Sequence, residues 1–205
     1  MALDRALSPI EMMGAQVPFG RNVEIYGENE PAEYLYKVIS GAVRSYKILA
    51  DGRRQIQAFH LPGDVFGFEF ENEHTLSAEA VVDSRVLIVK RRAVEAMAAH
   101  NHEVAHELWA LTARALQRVQ RHVTLLIQTA QERVVSFLLE MADRTSSDDG
   151  VQLPMSRLDI ADYLGVTIET VSRTLSSLET AAAIELPSSR RIILRDQDAL
   201  SRLCN

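Results

Sequence analysis

The spacing of apolar and polar positions changes character twice along the chain. From about residue 21 to residue 90 the apolar residues come in short runs rich in β-branched and aromatic members, the composition of strands. Residues 34–49 form such a run, interrupted by Gly41. Asp51-Gly52 follows, a dipeptide suited to a tight hairpin turn because both residues tolerate positive φ. Residues 55–60 alternate, the Leu61-Pro-Gly-Asp64 turn comes next, and Val81-Val82 and residues 86–89 supply late strands around Asp83-Ser84. Short strands separated by Gly, Pro and Asp turns predict an antiparallel barrel or sandwich.

From residue 92 to residue 144 there is no Gly or Pro, and Ala, Leu, Glu, Gln and Arg dominate, all good helix formers. Residues 102–128 suit one helix of roughly 40 Å at 1.5 Å per residue. Along it Val104, Leu108, Leu111, Ala115, Arg118, His122 and Leu125 alternate at spacings of four and three, a heptad seam carrying two polar members. Leu116, Val119, Val123 and Leu126 make a neighbouring stripe. A helix with two such stripes can pack on its own domain and on a second copy; an ordinary buried helix fits the same spacing. A second helix over 131–144 turns Val134, Val135, Leu138, Leu139 and Met141 to one side, and the polar run 145–150 then ends the helical region.

Residues 156–179 carry two short helical patterns that meet at Gly165. Ser156 suits an N-cap, with Asp159 three residues on. Leu158, Ile160, Ala161 and Leu164 are apolar, and Gly165 suits the left-handed stop of a helix. Thr167 caps the next helix, in which Val171, Leu175 and Leu178 share a face. The other side shows Ile168, Glu169, Ser172, Arg173 and Ser176. Two short helices around a tight turn, the second with a polar outer face, predict a helix-turn-helix. Residues 184–195 read as a β-hairpin with its tip at 187–191.

That outer face can be read chemically. Glu169 can accept a hydrogen bond from cytosine N4, Arg173 can donate two to guanine O6 and N7, Ser172 can donate or accept, and Ile168 can meet a thymine methyl. Glu169 and Arg173 also stand one turn apart, so the carboxylate can orient the guanidinium. Thr167, Thr170, Ser188, Ser189, Arg190 and Arg191 suit phosphate contacts.

Charge restricts this reading. The 205-residue chain has a net charge of −6, and from Thr145 onward six arginines face nine carboxylates. This balance argues against bulk attraction to DNA, so a DNA-binding reading must rest on local geometry and a small patch of placed side chains. The apolar content of 47% supports packed cores rather than disorder. Cys204 is the single cysteine, which excludes an internal disulfide and a multi-cysteine cluster within one chain. No basic leader with an apolar run and no membrane-length stretch is present, so a cytoplasmic protein is expected. No clustered nucleophile and base, phosphate-binding glycine loop or metal-ligand motif suggests an enzyme.

Residues 153–179, LPMSRLDIADYLGVTIETVSRTLSSLE, resemble the winged-helix domain of the Crp/Fnr transcription regulators, most of all the FixK-like branch with its Glu-x-x-Ser-Arg recognition helix, here Glu169, Ser172 and Arg173. Gly27-Glu28, residues 35–41, the Pro62-Gly-Asp-Val-Phe-Gly67 segment and the long helix follow in family order. The resemblance implies an α+β chain. It comprises an N-terminal antiparallel β-roll like a cyclic-nucleotide-binding domain (residues 1–100), a dimerisation helix (101–129) and a C-terminal winged helix-turn-helix (130–205). It implies a homodimer on a TTGAT-N4-ATCAA-like site, a contact with RNA polymerase, and no association with a membrane. On this reading Arg173 reads the G, Glu169 the opposite C or A, and Ser172 a T, while Leu108, Leu111, Ala115, Arg118, His122 and Leu125 form the dimer interface.

The same resemblance raises the question of an effector. Members that bind cyclic nucleotides carry a Gly-Glu for the ribose and an Arg-Ser or Arg-Thr for the phosphate. Here the first becomes Gly67-Phe68-Glu69, with a residue inserted, and the second falls near Thr75-Leu76-Ser77-Ala78, without an arginine to hold a buried phosphate. Haem would need a histidine ligand, and no spacing singles out one among His60, His74, His100, His102, His106 and His122. The expectation is a regulator with no cofactor of its own, made in response to a low-oxygen signal. The alternative is a ligand- or haem-gated sensor of the same family.

Overall fold

In the computed structural model, which describes residues 9–145 and 150–204, a short helix α1 (Pro9–Met12) leads into eight strands. These are β1 (Ala15–Phe19), β2 (Glu24–Tyr26), β3 (Tyr34–Ser40), β4 (Val43–Ile48), β5 (Arg54–His60), β6 (Val65–Phe66), β7 (Ser77–Ala80) and β8 (Ser84–Lys90). They form two four-stranded sheets, ordered β1-β8-β3-β6 and β2-β7-β4-β5. Tyr36 lies opposite Ile88 between β3 and β8, and Ser45 opposite Ala78 between β4 and β7, both antiparallel. Pro18, which cannot donate to a ladder, sits on the edge strand β1.

Alternation along the strands separates two cores. Tyr36, Val38, Phe66 and Val86 of the first sheet meet Tyr26, Val43 and Ala78 of the second. The intervening residues Leu35, Leu87 and Val89 turn the other way, onto Ile10, Val94 and Val104. The hairpin at Asp51-Gly52 differs from expectation. Only Gly52 takes positive φ, because the connection is longer: Gly52 N donates to Leu49 O at 2.9 Å and Leu49 N to Arg53 O at 2.8 Å.

Helix α2 (Arg91–Ala98) is followed by α3 (His102–Leu126) and α4 (Ala130–Thr145). Asn101 caps α3 by accepting from Glu103 N at 2.9 Å. The break before α4 is a reciprocal cap in which Thr129 N donates to Glu132 Oε2 at 2.7 Å and Glu132 N to Thr129 Oγ1 at 3.4 Å. Of the polar run predicted over 145–150, residues 146–149 lie outside the described residues. The C-terminal part comprises β9 (Val151–Gln152), α5 (Arg157–Leu164), α6 (Ile168–Thr180), β10 (Ile184–Ser188), β11 (Arg191–Leu194) and α7 (Gln197–Arg202), with the strands ordered β10-β11-β9. The third strand and α7 are absent from the pattern-based reading, since two paired residues and six helical ones are too short to show a period.

The chain divides into two compact units. One runs to residue 47 and resumes over 59–118; the other takes 48–58 and everything from 119 onward. The tip of the β4–β5 hairpin thus belongs to the second unit. No helix among the described residues is long and apolar enough to cross a membrane.

Candidate nucleic-acid interface

Helix α5 begins on a reciprocal cap. Ser156 Oγ accepts from Asp159 N at 3.1 Å, and Asp159 Oδ2 accepts from Ser156 N at 3.0 Å and from Ser156 Oγ at 2.7 Å. It ends at Gly165, whose φ of 63° is left-handed. Thr167 then caps α6, accepting from Thr170 N at 3.2 Å, with its Oγ1 3.1 Å from the Thr170 hydroxyl. Those two hydroxyls, expected at phosphates, are thus engaged at the helix start.

Val171, Leu175 and Leu178 are buried under α6, joined by Thr174. Ile168, Glu169, Arg173 and Ser176 stand exposed on the other side, with Ser172 half-buried among them. Position one of a helix favours anions, and Glu169 lies in the first turn. The local backbone N–H and the Thr167 hydroxyl hold its carboxyl below the usual range, and the Arg173 charge adds to this. No hydrogen bond closes between Glu169 and Arg173 among the described residues; the guanidinium points outward without a carboxylate anchor.

The hairpin expected at 187–191 is β10 and β11, with Ser189 and Arg190 in the turn. Its pairing is irregular between Glu185 and Ser188, where Pro187 has no N–H to give. Hydrogen bonds to neighbouring elements help to fix the hairpin locally. Glu179, near the end of α6, accepts from Leu186 N at 3.1 Å, and Arg190 O accepts from Leu153 N at 2.8 Å. Ser188 and Ser189 are exposed, and Arg190 and Arg191 half-exposed.

Two arginines outside the expected set belong to this constellation. Arg157 Nη1 lies 3.5 Å from Ser172 Oγ on α6. A cation in the first turn of a helix opposes the helix dipole, and that mismatch is the sequence signal for it. Arg133 donates from Nη1 to Leu164 O at 3.0 Å, from Nη2 to Leu126 O at 2.7 Å and from Nε to Gln128 O at 3.0 Å, satisfying carbonyls at the ends of α5 and α3. No side-chain pattern announces it, because its partners are backbone carbonyls, one of them 31 residues away.

The residues expected to form the dimer seam all lie on α3. Val104 and Leu125 are buried, Leu108, Leu111 and Ala115 half-buried, Arg118 pairs with Asp64 at 3.3 Å, and His122 stacks on Tyr163 at 4.2 Å. Val104, Arg118, His122 and Leu125 thus have neighbours in the chain itself, while Leu108, Leu111 and Ala115 keep part of their surface open. One residue on, rotated by about 100°, Trp109, Thr112, Leu116, Val119, Val123 and Leu126 repeat the same four-and-three spacing. All are exposed, Trp109 at 74% and Val123 at 59%.

The interior of the β-roll tests whether a cyclic nucleotide fits. His74 stacks on Tyr26 at 3.6 Å, Tyr36 on Phe66 at 5.2 Å, and His60 on Phe66 at 4.6 Å while bonding Ser45 Oγ at 2.7 Å. Burial pushes the Tyr36 phenol up to about 12, with Glu30 and Tyr34 adding to it. Glu69, the residue in the ribose-binding position, accepts from Thr75 N at 3.1 Å and from Thr75 Oγ1 at 3.2 Å. No arginine lies between residues 67 and 80. A cyclic nucleotide seated on this segment would have to displace Thr75 from Glu69 and would find no arginine in it for its phosphate.

Residues 132–203 match the Crp-like helix-turn-helix domain and residues 16–101 the cyclic nucleotide-binding domain. The nitrogen fixation regulation protein FixK of Azorhizobium caulinodans is 50% identical over 99% of this chain and 86% of its own length. FixK of Rhizobium meliloti is 40% identical over 97% and 92%. The solved structure of FixK2 from Bradyrhizobium japonicum superimposes with a TM-score of 0.90 at 51% identity, covering 94% of this chain and 98% of that one.

Proposed function

The chain belongs to the Crp/Fnr transcription regulators, in their FixK-like branch, and from that premise we propose that it binds a TTGAT-N4-ATCAA-like palindrome as a homodimer, without a cofactor of its own. Its targets are low-oxygen-responsive genes, such as those of microaerobic respiration or nitrogen fixation, which it activates through RNA polymerase. The observation that carries the DNA site is the set of exposed Ile168, Glu169 and Arg173 with half-buried Ser172 on one face of a capped helix whose other face is buried. Arg173 reads the G, Glu169 the opposite base, and Ser172 and Ile168 the neighbouring pairs. Ser188, Ser189, Arg190 and Arg191 anchor the phosphate backbone from the hairpin, and Thr167 and Thr170 from the start of α6.

The self-filled β-roll supports control by synthesis of the protein rather than by nucleotide binding. Exposure of the stripe at Leu116, Val119, Val123 and Leu126 supports a second copy as the partner of α3. The test is fluorescence anisotropy with the protein free of added ligands. A labelled TTGAT-N4-ATCAA duplex is expected to bind with a Kd of about 0.1 μM or tighter and a scrambled duplex far more weakly. Binding that appears only on addition of cAMP would overturn the cofactor-free reading.

A further inference from the structure

Arg54 lies at the hairpin tip that belongs to the second unit, and its guanidinium grips helix α5 at two points. Nε and Nη2 both donate to Asp162 Oδ2, at 2.9 and 2.8 Å, and Nη2 also donates to Asp159 Oδ1 at 2.6 Å. Beside it, Gln55 Nε2 donates to the Asp162 carbonyl at 2.8 Å. The Asp159 carboxylate thereby does two jobs: Oδ2 closes the cap at the start of α5 and Oδ1 receives Arg54. The three side chains are 22%, 7% and 21% exposed. Removing the cation takes the shared charge partner from two sheltered carboxylates on the helix that precedes the reading helix α6.

We propose that Arg54 is a positioning residue for operator recognition: it holds α5, and through the Gly165 turn α6, in the arrangement that base reading requires. The inference rests on the DNA-reading role of α6. Arg54 does not act as a phosphate contact, because both donor nitrogens named above are already spent on carboxylates. Its loss therefore lowers specific binding more than general binding, where loss of a phosphate contact lowers both and reduces the salt slope.

The experiment compares full-length Arg54→Ala, Arg54→Lys and Asp162→Asn with the parent, at a temperature where circular dichroism shows each one folded. Anisotropy on operator and scrambled duplexes over a salt series is paired with amide hydrogen exchange of the DNA-free proteins. For Arg54→Ala the operator affinity is expected to fall by about tenfold or more, with scrambled-duplex affinity and salt slope unchanged and faster exchange in α5 and α6. Arg54→Lys is expected to recover part of the loss. Combining Arg54→Ala with Asp162→Asn should cost less than the product of the two single effects. Unchanged operator affinity and unchanged exchange in folded Arg54→Ala overturns the proposal, as does a salt slope lower by about one. Should Arg54→Ala not fold, Arg54→Lys and Asp162→Asn decide on the same readouts. A parent chain that ignores the operator overturns the DNA reading instead, and the exchange rates of α5 and α6 then decide the clamp alone.

Discussion

Arg173 and Glu169 show how one turn of helix divides labour. The carboxylate is stabilised by the helix start, while the Arg173 side chain stands exposed one turn on. Arg173→Ala should cost about 1–3 kcal/mol on the cognate duplex and relax discrimination at the G, measured by competition against duplexes altered at that base pair. His74 offers a test away from DNA. Burial holds its imidazole below the ordinary value of 6.5, with Glu69, 3.5 Å away, pulling the other way. The folded state thus binds a proton less readily than the unfolded chain. The stabilisation is complete above about pH 6.5 and is lost as pH falls through the lower folded-state value. Thermal melts from pH 8 to pH 5 should show Tm dropping on acidification. His74→Phe, which keeps a ring against Tyr26, should flatten that fall; the remainder falls to His122, also lowered by burial. An equal slope in parent and variant would remove His74 from the account.

At the scale of elements, the two stripes on α3 are the instructive case. Both alternate at four and three, so spacing alone did not choose between them. What separates them within the chain are partners distant in sequence on the first stripe, Asp64 for Arg118 and Tyr163 for His122. The helix-turn-helix was legible because its caps, glycine stop and apolar face are local signals, each present within a few residues. Arg54, Arg133 and the short strand β9 were not legible, since their roles depend on contacts across 105, 31 and about 40 positions. Val119→Glu, placed mid-stripe, is expected to shift the protein towards monomer in sedimentation velocity and to abolish palindrome binding while leaving helicity intact. On the hairpin, Arg190→Ala should weaken all duplexes alike and reduce the salt slope by about one, read from binding between 50 and 200 mM salt.

For the whole molecule the net charge of −6 sets the terms. An acidic chain gains little from counterion release beyond the few cations that touch DNA, so on the proposed reading its search of non-target DNA would be weak and its discrimination would rest on α6. The exposed stripe of α3 then has a quantitative consequence for how the cell reads this protein. If the proposed dimer is the DNA-competent form and chains are scarce and mostly monomeric, its concentration would rise with the square of the number of chains. A tenfold rise in synthesis then becomes about a hundredfold rise in dimer by mass action. An apolar seam on one helix would thus turn a graded upstream signal into a threshold, with no ligand involved.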